Sequence, residues 1–485
     1  MTAKETFAAP VHFHPRARAL EARWQKLCRQ YLPRAPHDSI WRYHSARRPH
    51  TSAAGWKLHV SATILNAPAL FKRIAPLLVA EDVWFKAPRS LAEVLKLNSG
   101  LIYNYSQIGK ILTIYPHDDH EAVYLAGKLD ELSRGFSGPA VPFDLSFGKH
   151  GTVYYRFGAF ERLEIEDGGR RALGVRTPEG KLIPDMREEP RPEGVADPFV
   201  SHQPPPKTSR TRESSSSLRV MKVLTQRGKG GVYEAIDLSS DLPRLCLLKE
   251  GRRNGEVAWD GRDGAWRVRH EKRVLGTLAA RGVPVPRVHA SFTRGGNYYL
   301  VMDHISGETL HDYLVRRCYR VDLPRVLNWG IQLAAFLTRM HEAGWAWRDC
   351  KPKNIVITSM GRLAPIDFEG AAPIRRPDQS LWGTPGFTPP ELKQGERTNG
   401  ATDDCYALGA LLYFVVTGKI FDHQTPVTIQ SLRRKVYPEL RALIESLLST
   451  DPQLRPKAVE AGAQLKAIAF RYSRRSGREM DVRAA

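Results

Sequence analysis

The run Trp345-Ala-Trp-Arg-Asp-Cys-Lys-Pro-Lys-Asn354 carries Asp349, Lys351 and Asn354, and Asp367 follows eighteen residues after Asp349 in Ala-Pro-Ile-Asp-Phe-Glu. A carboxylate, a cation and an amide on one polar loop, then a second carboxylate after an apolar strand, suit phosphoryl transfer. Asp349 would orient a hydroxyl nucleophile, Lys351 would neutralise the moving phosphoryl group, and Asn354 and Asp367 would hold metal ions. Taken alone, Asp-x-Lys-x-x-Asn also suits a polar turn between strands. A second pair stands near the N-terminus, in Gly55-Trp-Lys-Leu-His-Val-Ser-Ala-Thr63. Trp56, Leu58 and Val60 alternate with Lys57, His59 and Ser61, so a strand would present Lys57 and His59 on one face.

The residues around the first set decide its reading. Lys249 ends the apolar run Leu-Leu-Lys, and Glu271 lies in a helical stretch with Val274, Leu275 and Leu278. Arg227-Gly-Lys-Gly-Gly-Val-Tyr233 precedes them, Met302-Asp303-His304 follows, and Gly383-Thr-Pro-Gly-Phe-Thr-Pro-Pro-Glu391 comes after Asp367. In this order, from Leu218 to Ala469, the chain resembles protein kinases. The resemblance implies a bilobal kinase fold that uses ATP or GTP with Mg²⁺. It assigns the phosphate grip to Lys249, its ion pair to Glu271, and the hinge to Met302 and His304. Gly228, Gly230 and Gly231 would bring bare backbone N–H groups to phosphate. Thr384 favours Ser/Thr over Tyr as acceptor, and Asp404 and Arg455 resemble buried structural anchors. Three departures stand out: Trp347 where histidine is usual, Glu369 where glycine is usual, and a compressed glycine loop. The residues that carry the chemistry are all present, which implies an active enzyme.

The elements that must position Lys57 and His59 read as a mixed α+β domain. Expected helices are Ala17–Tyr31, Ala67–Ala80 and Glu121–Leu132; expected strands are Val83–Lys86, Lys110–Tyr115 and Val153–Phe157, besides Gly55–Thr63. The stretch between Tyr31 and Ser52 is rich in Pro, His and Arg and reads as loop. The ordered segments from Ser52 to Phe160 resemble the N-terminal lyase domain of class III and class IV lanthionine synthetases. Those enzymes join a phosphopeptide lyase to a Ser/Thr kinase and a zinc-dependent cyclase. Asp260-Gly-Arg-Asp-Gly-Ala-Trp-Arg-Val-Arg-His-Glu271 resembles the same group's lead-in to its first kinase helix. By this resemblance Lys86 is the base that removes the Cα proton, His59 the acid that helps phosphate leave, and Lys57 their electrostatic partner. Lys110 and Arg156 are candidate phosphate binders. Members of the family carry an arginine near Asn104–Gln107, where this chain has none. Beta-elimination needs such a base, acid and set of cations.

The expected architecture is thus α+β: a lyase-like domain over residues 1–183, a Pro/Ser-rich linker over 184–217, a kinase over 218–470 and a basic tail over 471–485. Glu-Glu-Pro-Arg-Pro-Glu-Gly, Pro204–Pro206 and Ser214–Ser217 lack the apolar residues a core needs. About thirty residues follow Arg455, with no Cys-His set for a catalytic zinc, so a cyclase is expected to be a separate protein. The formal net charge is +22, spread without a long basic block before Arg471–Arg483. Neither nucleic acid nor membrane is expected as partner; a leader-bearing precursor peptide is. Five scattered cysteines (Cys28, Cys246, Cys318, Cys350, Cys405) argue against disulfides and fit a cytoplasmic protein. The expected function is dehydration of Ser/Thr in that peptide. The alternative is a regulatory Ser/Thr kinase whose N-terminal domain only binds peptide or phosphate.

Overall fold

The computed structural model describes residues 15–45, 53–160, 163–167, 170–177, 180–202, 217–239, 241–376, 378, 382–393, 400–433 and 435–476. The polar tract 203–216 and the tail beyond 476, part of the expected linker and basic tail, lie outside the described residues.

The N-terminal domain runs α1 (Pro15–Tyr31), β1 (Trp41–Tyr43), β2 (Ala54–Val60), α2 (Ala67–Ala80), β3 (Trp84–Pro88), α3 (Leu91–Ser99), β4 (Leu112–Tyr115), α4 (Asp119–Leu132), β5 (Leu145–Phe147) and β6 (Val153–Ala159). Its antiparallel sheet has the order β1-β3-β4-β2-β6-β5. Leu58 and Val60 face a core that also takes Leu70, Phe71, Ile74 and Leu78 from α2 and Leu125 and Leu129 from α4. Period two on the strand and period 3.6 on the helices meet in one apolar layer, which fixes the register that leaves Lys57 and His59 on the other face. Trp24 of α1 packs on Phe71 with 5.3 Å between ring centroids, and its indole N–H donates to Pro88 O at 3.0 Å.

Four local expectations change. The strand expected to reach Thr63 ends at Val60, because the Ser61 amide turns to Thr152 O at 2.8 Å and the Thr63 amide to Ser137 O at 3.2 Å. The strand expected from Lys110 begins at Leu112, so Lys110 sits in the preceding turn. The stretch read as loop contains β1, whose Tyr43 pairs with Lys86. Beyond residue 183 the chain does not leave as a tether. The Phe157 amide donates to Pro190 O at 2.8 Å, and Val195 and Phe199 are buried in the N-terminal core. Phe199 packs on Tyr155 with 4.0 Å between centroids. Two apolar anchors thus hold a Pro/Glu-rich segment that composition alone marks as unpacked. A small sheet of β7 (Leu163–Asp167), β8 (Arg170–Arg176) and β9 (Leu182–Pro184) precedes it.

The kinase region opens with a five-stranded antiparallel sheet. Its strands are β10 (Leu218–Arg227), β11 (Gly230–Asp237), β12 (Arg244–Gly251), β13 (Val288–Arg294) and β14 (Asn297–Asp303), in the order β10-β11-β12-β14-β13. Helix α5 (Gly264–Ala280) starts at Asp263, whose side chain caps it by accepting from the Trp266 amide. The larger lobe is helical. Helices Leu323–Glu342, Ala401–Thr417, Pro438–Leu447 and Ala458–Ser476 share one core. Ala401–Thr417 is buried from Asp403 through Val416, as its apolar run requires. Arg455 holds Glu391 through two bonds of 2.6 and 2.9 Å, a buried bidentate anchor.

Phe199 tests where the N-terminal domain ends. Phe199→Ala should cost about 3–5 kcal/mol in the unfolding transition of that domain, as for a large buried aromatic. A urea melt showing a loss below about 1 kcal/mol would mean that the segment does not belong to the core.

Candidate active sites

Lys249 lies on β12, and its Nζ donates to Glu271 Oε1 and Oε2 of α5 at 2.8 Å each and to Asp367 Oδ1 at 2.9 Å. The Phe368 amide donates to Glu271 Oε1 at 3.1 Å, which ties α5 to the loop carrying Asp367. Burial works against the Lys249 charge, but Asp367 and Glu271 outweigh it and hold the ammonium well above its ordinary pKa. Burial likewise opposes the Asp367 carboxylate, and Lys249, Lys229 and Lys351 override it and hold the group well below its usual range. Lys249 and Asp367 are therefore an ion pair, whereas burial raises the Glu271 carboxyl against the pull of Lys249.

Asp349 Oδ2 accepts from Lys351 Nζ at 2.8 Å and from Asn354 Nδ2 at 2.8 Å. Its Oδ1 accepts from the Thr384 hydroxyl at 3.0 Å, and Lys351 also donates to that hydroxyl at 2.9 Å. A hydroxyl held between a carboxylate and a lysine is the arrangement an acceptor serine or threonine would need. With its amide nitrogen engaged at Asp349, Asn354 has its amide oxygen to offer a cation. Together with the Asp367 carboxylate this is an oxygen set suited to Mg²⁺.

The departures from the kinase pattern have physical answers. Trp347 is fully buried, its indole donates to Asp367 O at 3.0 Å, and its ring stacks on Phe368. Its own amide and that of Arg348 donate to Asp404 at 2.8 and 2.7 Å, so the loop is pinned from behind. Arg348 and Asp367 both hold positive φ, +68° and +66°, a strained backbone of the kind found at functional loops. Glu369 forms an ion pair with Lys229 at the tip of the glycine turn. Met302 is buried within β14, and His304 Nε2 lies 3.4 Å from Glu234 Oε1. Gly230 and Gly231 enter β11, whereas the Gly228 amide has another acceptor, Ser99 O of the N-terminal domain, at 2.9 Å.

In the N-terminal sheet, Lys57 pairs across the ladder with Arg156, His59 with Thr113, and Lys86 with Thr113. The sheet thus gathers Lys57, His59, Lys86 and Arg156 on neighbouring positions. Lys110 joins them through Asp144, which accepts from Lys110 Nζ at 3.0 Å and bonds His59 Nδ1 at 2.6 Å. Arg156 pairs with Asp185 at 2.9 Å, and its Nε is buried without a hydrogen-bond partner. Lys86 lies 4.5 Å from the Trp41 ring centroid, and both Lys86 and Lys57 lie within 6 Å of the Tyr115 ring. Lys57 also donates to Ala159 O.

Asp144, Asp185 and Trp41 were not foreseen. Asp144 lies in an ordinary Pro-Phe-Asp turn and Asp185 in the segment read as linker, so neither carries a local signal. The missing arginine near residues 104–107 has no substitute within that turn; the guanidinium that reaches it is Arg252 of the kinase, 5.1 Å from the Tyr105 ring centroid.

Burial, then Lys86 and Arg156, lowers the Lys57 pKa to about 7. Burial and then Lys110 lower that of His59 to about 3, against the pull of Asp144. Burial also lowers Lys110. The neighbouring cations thus add to burial in disfavouring the charged forms of Lys57, His59 and Lys110.

The comparisons with known proteins divide the chain at the same place. Residues 24–211 match the family described as RamC, N-terminal domain, and residues 230–464 match the protein kinase domain family. The chain is therefore similar to a RamC N-terminal domain over its first part and to a protein kinase domain over its second. It is 28% identical over 412 residues to the probable SapB synthase of Streptomyces coelicolor, covering 81% of this chain and 43% of that protein. It is also 30% identical over 239 residues to the serine/threonine-protein kinase PknK of Mycobacterium bovis, covering 45% of this chain and 21% of that protein. The chain thus spans less than half the length of these relatives. No helix among the described residues is long and apolar enough to cross a membrane.

The low pKa of His59 has a measurable consequence. Without ligand the imidazole should stay neutral until the pH falls to about 3. Bound phosphate, a monoanion at that pH, would offset part of the repulsion from Lys110 and Lys57 and favour the protonated ring. Saturating inorganic phosphate should raise the His59 midpoint in an NMR titration by about one unit or more. An unmoved midpoint would place phosphate elsewhere.

Proposed function

We propose that the chain dehydrates serine and threonine residues of a precursor peptide in two steps. The kinase transfers a phosphoryl group from ATP or GTP to the hydroxyl, and the RamC-type domain then eliminates phosphate. The observation that carries this reading is the cluster of Lys57, His59, Lys86 and Arg156 on one sheet face, with Lys110 tied to His59 through the buried Asp144. A cation-rich, base-bearing face suits a phosphorylated side chain and has no role in a kinase alone.

In the first step Asp349 orients the acceptor hydroxyl and takes its proton, while Lys249 and Lys351 stabilise charge on the phosphates. Asp367 and Asn354 would hold Mg²⁺, which supplies charge neutralisation at the phosphates. In the second step Lys86 removes the Cα proton and Lys57 stabilises the enolate-like charge on the adjacent carbonyl. The Cα–H electron pair forms the new Cα=Cβ bond and the Cβ–O bond breaks. Phosphate leaves with a proton from His59, once the dianion has raised that histidine's pKa. Arg156 and Lys110 hold the phosphate. The product is dehydroalanine or dehydrobutyrine.

Lys86 must be neutral to act as a base. Tethering the two sites keeps the phosphopeptide at high local concentration. The substrate carries a leader segment. One observation favours the second reading, a regulatory kinase with a phosphate-binding N-terminal domain: His59 is neutral in the ligand-free site and so lacks the proton a general acid donates.

The two steps leave different masses on the peptide. Lys86→Ala should accumulate phosphopeptide, each modified residue heavier by one phosphoryl group, with no dehydrated product. His59→Ala should do the same less completely, since a general acid contributes about 10²–10⁴-fold. Asp349→Asn should leave peptide unmodified yet still convert synthetic phosphopeptide to the dehydro form. A Lys86→Ala variant that dehydrates at the wild-type rate would remove the lyase assignment. A wild-type chain that stops at phosphopeptide would establish the regulatory reading instead.

A further inference from the structure

The turn between β10 and β11 is the kinase's phosphate loop, yet its tip rests on the other domain. The Gly228 amide donates to Ser99 O at the end of α3 at 2.9 Å. A Cβ at Gly228 would lie 1.7 Å from Asn98 O, so only glycine permits this approach. Asn98 is itself buried and tied into the N-terminal domain, donating to Ala62 O at 3.1 Å and accepting from the Gly109 amide at 3.1 Å. Arg252 braces the loop from its other side. Its amide donates to Lys229 O at 2.8 Å and its Nη1 to Arg227 O at 3.3 Å. The same guanidinium stands 5.1 Å from the ring centroid of Tyr105, in the N-terminal domain. Lys229, at the tip, crosses the cleft to Glu369.

We infer that the N-terminal domain completes the kinase's nucleotide site, with Tyr105 as a positioning residue that holds the phosphate loop through Arg252. A glycine-rich turn gains its phosphate affinity from backbone amides, and that affinity depends on the amides being aimed before the ligand arrives. In this chain the loop is compressed to a two-residue turn and cannot brace itself. Ser99 and Tyr105 supply an abutment from a rigid neighbour. Kinase and N-terminal domain are then one nucleotide-binding unit, and disturbing the outer face of one alters the affinity of the other. The inference rests on the kinase reading and is independent of the elimination step.

The experiment compares Tyr105→Ala, Tyr105→Leu and Tyr105→Phe in the full chain. Nucleotide affinity is measured by fluorescence titration with MgADP, and amide exchange over residues 226–231 is followed without nucleotide. Loss of the ring should raise the MgADP Kd and the ATP KM about 3- to 30-fold, with kcat within about twofold, as a cation–π platform would. Exchange over the loop should accelerate in the same variants. Tyr105→Phe keeps the ring but loses the hydroxyl's bond to Arg252, and should show a clearly smaller loss than the ringless variants. Tyr105→Leu keeps most of the bulk, and reads the same effect if the alanine variant does not fold. Wild-type Kd and exchange in the ringless variants would overturn the inference, as would an equal loss in Tyr105→Phe. A wild-type chain that bound no nucleotide would overturn the kinase reading as well, so the two failures are distinguishable.

Discussion

Repulsion among buried cations shapes the N-terminal domain. Lys57, Lys86, Lys110 and Arg156 converge on one region with two carboxylates, Asp144 and Asp185, between them. Two like charges about 6 Å apart repel by roughly 2–3 kcal/mol at the effective dielectric of such sites. The fold tolerates this because the charges stand on a sheet whose opposite face is locked into the core, and because Trp41 and Tyr115 offer their ring faces. The arrangement is stable enough to persist and uncomfortable enough to favour a dianion.

The kinase cleft has the opposite imbalance. Glu271, Asp367 and Glu369 crowd Lys249, with Lys229 as the second cation. A site rich in carboxylates accepts phosphate only together with a metal cation, whereas a site rich in lysine and arginine accepts it directly. On the proposed two-step reading the two halves take the same group at two stages: first as part of a metal-bound nucleotide, then as an ester on a side chain. That complementarity connects the domains more firmly than their adjacency in the chain.

What could be read in advance was what repeats locally. The Ala67–Ala80 helix, the shared face of Lys57 and His59, and the loop from Asp349 to Asn354 follow from period and spacing, and all appear in the structure. Asp144, Asp185 and Trp41 could not be read, because each acquires its place only when distant strands meet. Residues 184–202 misled for a different reason: Val195 and Phe199 are two apolar residues in a polar segment, and their weight becomes visible only against Tyr155 and Trp56. Trp347 looked like damage to a motif; its indole instead supplies a donor to the carbonyl of Asp367.

That last contact has a chemical consequence. Where kinases usually place histidine, the joint between the catalytic loop and the loop carrying Asp367 ends in a group that gains and loses protons near neutrality. Indole does neither, and it can only donate. The joint in this chain therefore keeps one bonding state across the whole range in which proteins work. Acidification through neutrality that protonates Lys57 of the N-terminal face leaves the backbone at Asp367 under the same constraint, so the two halves of one polypeptide keep separate relations with the proton.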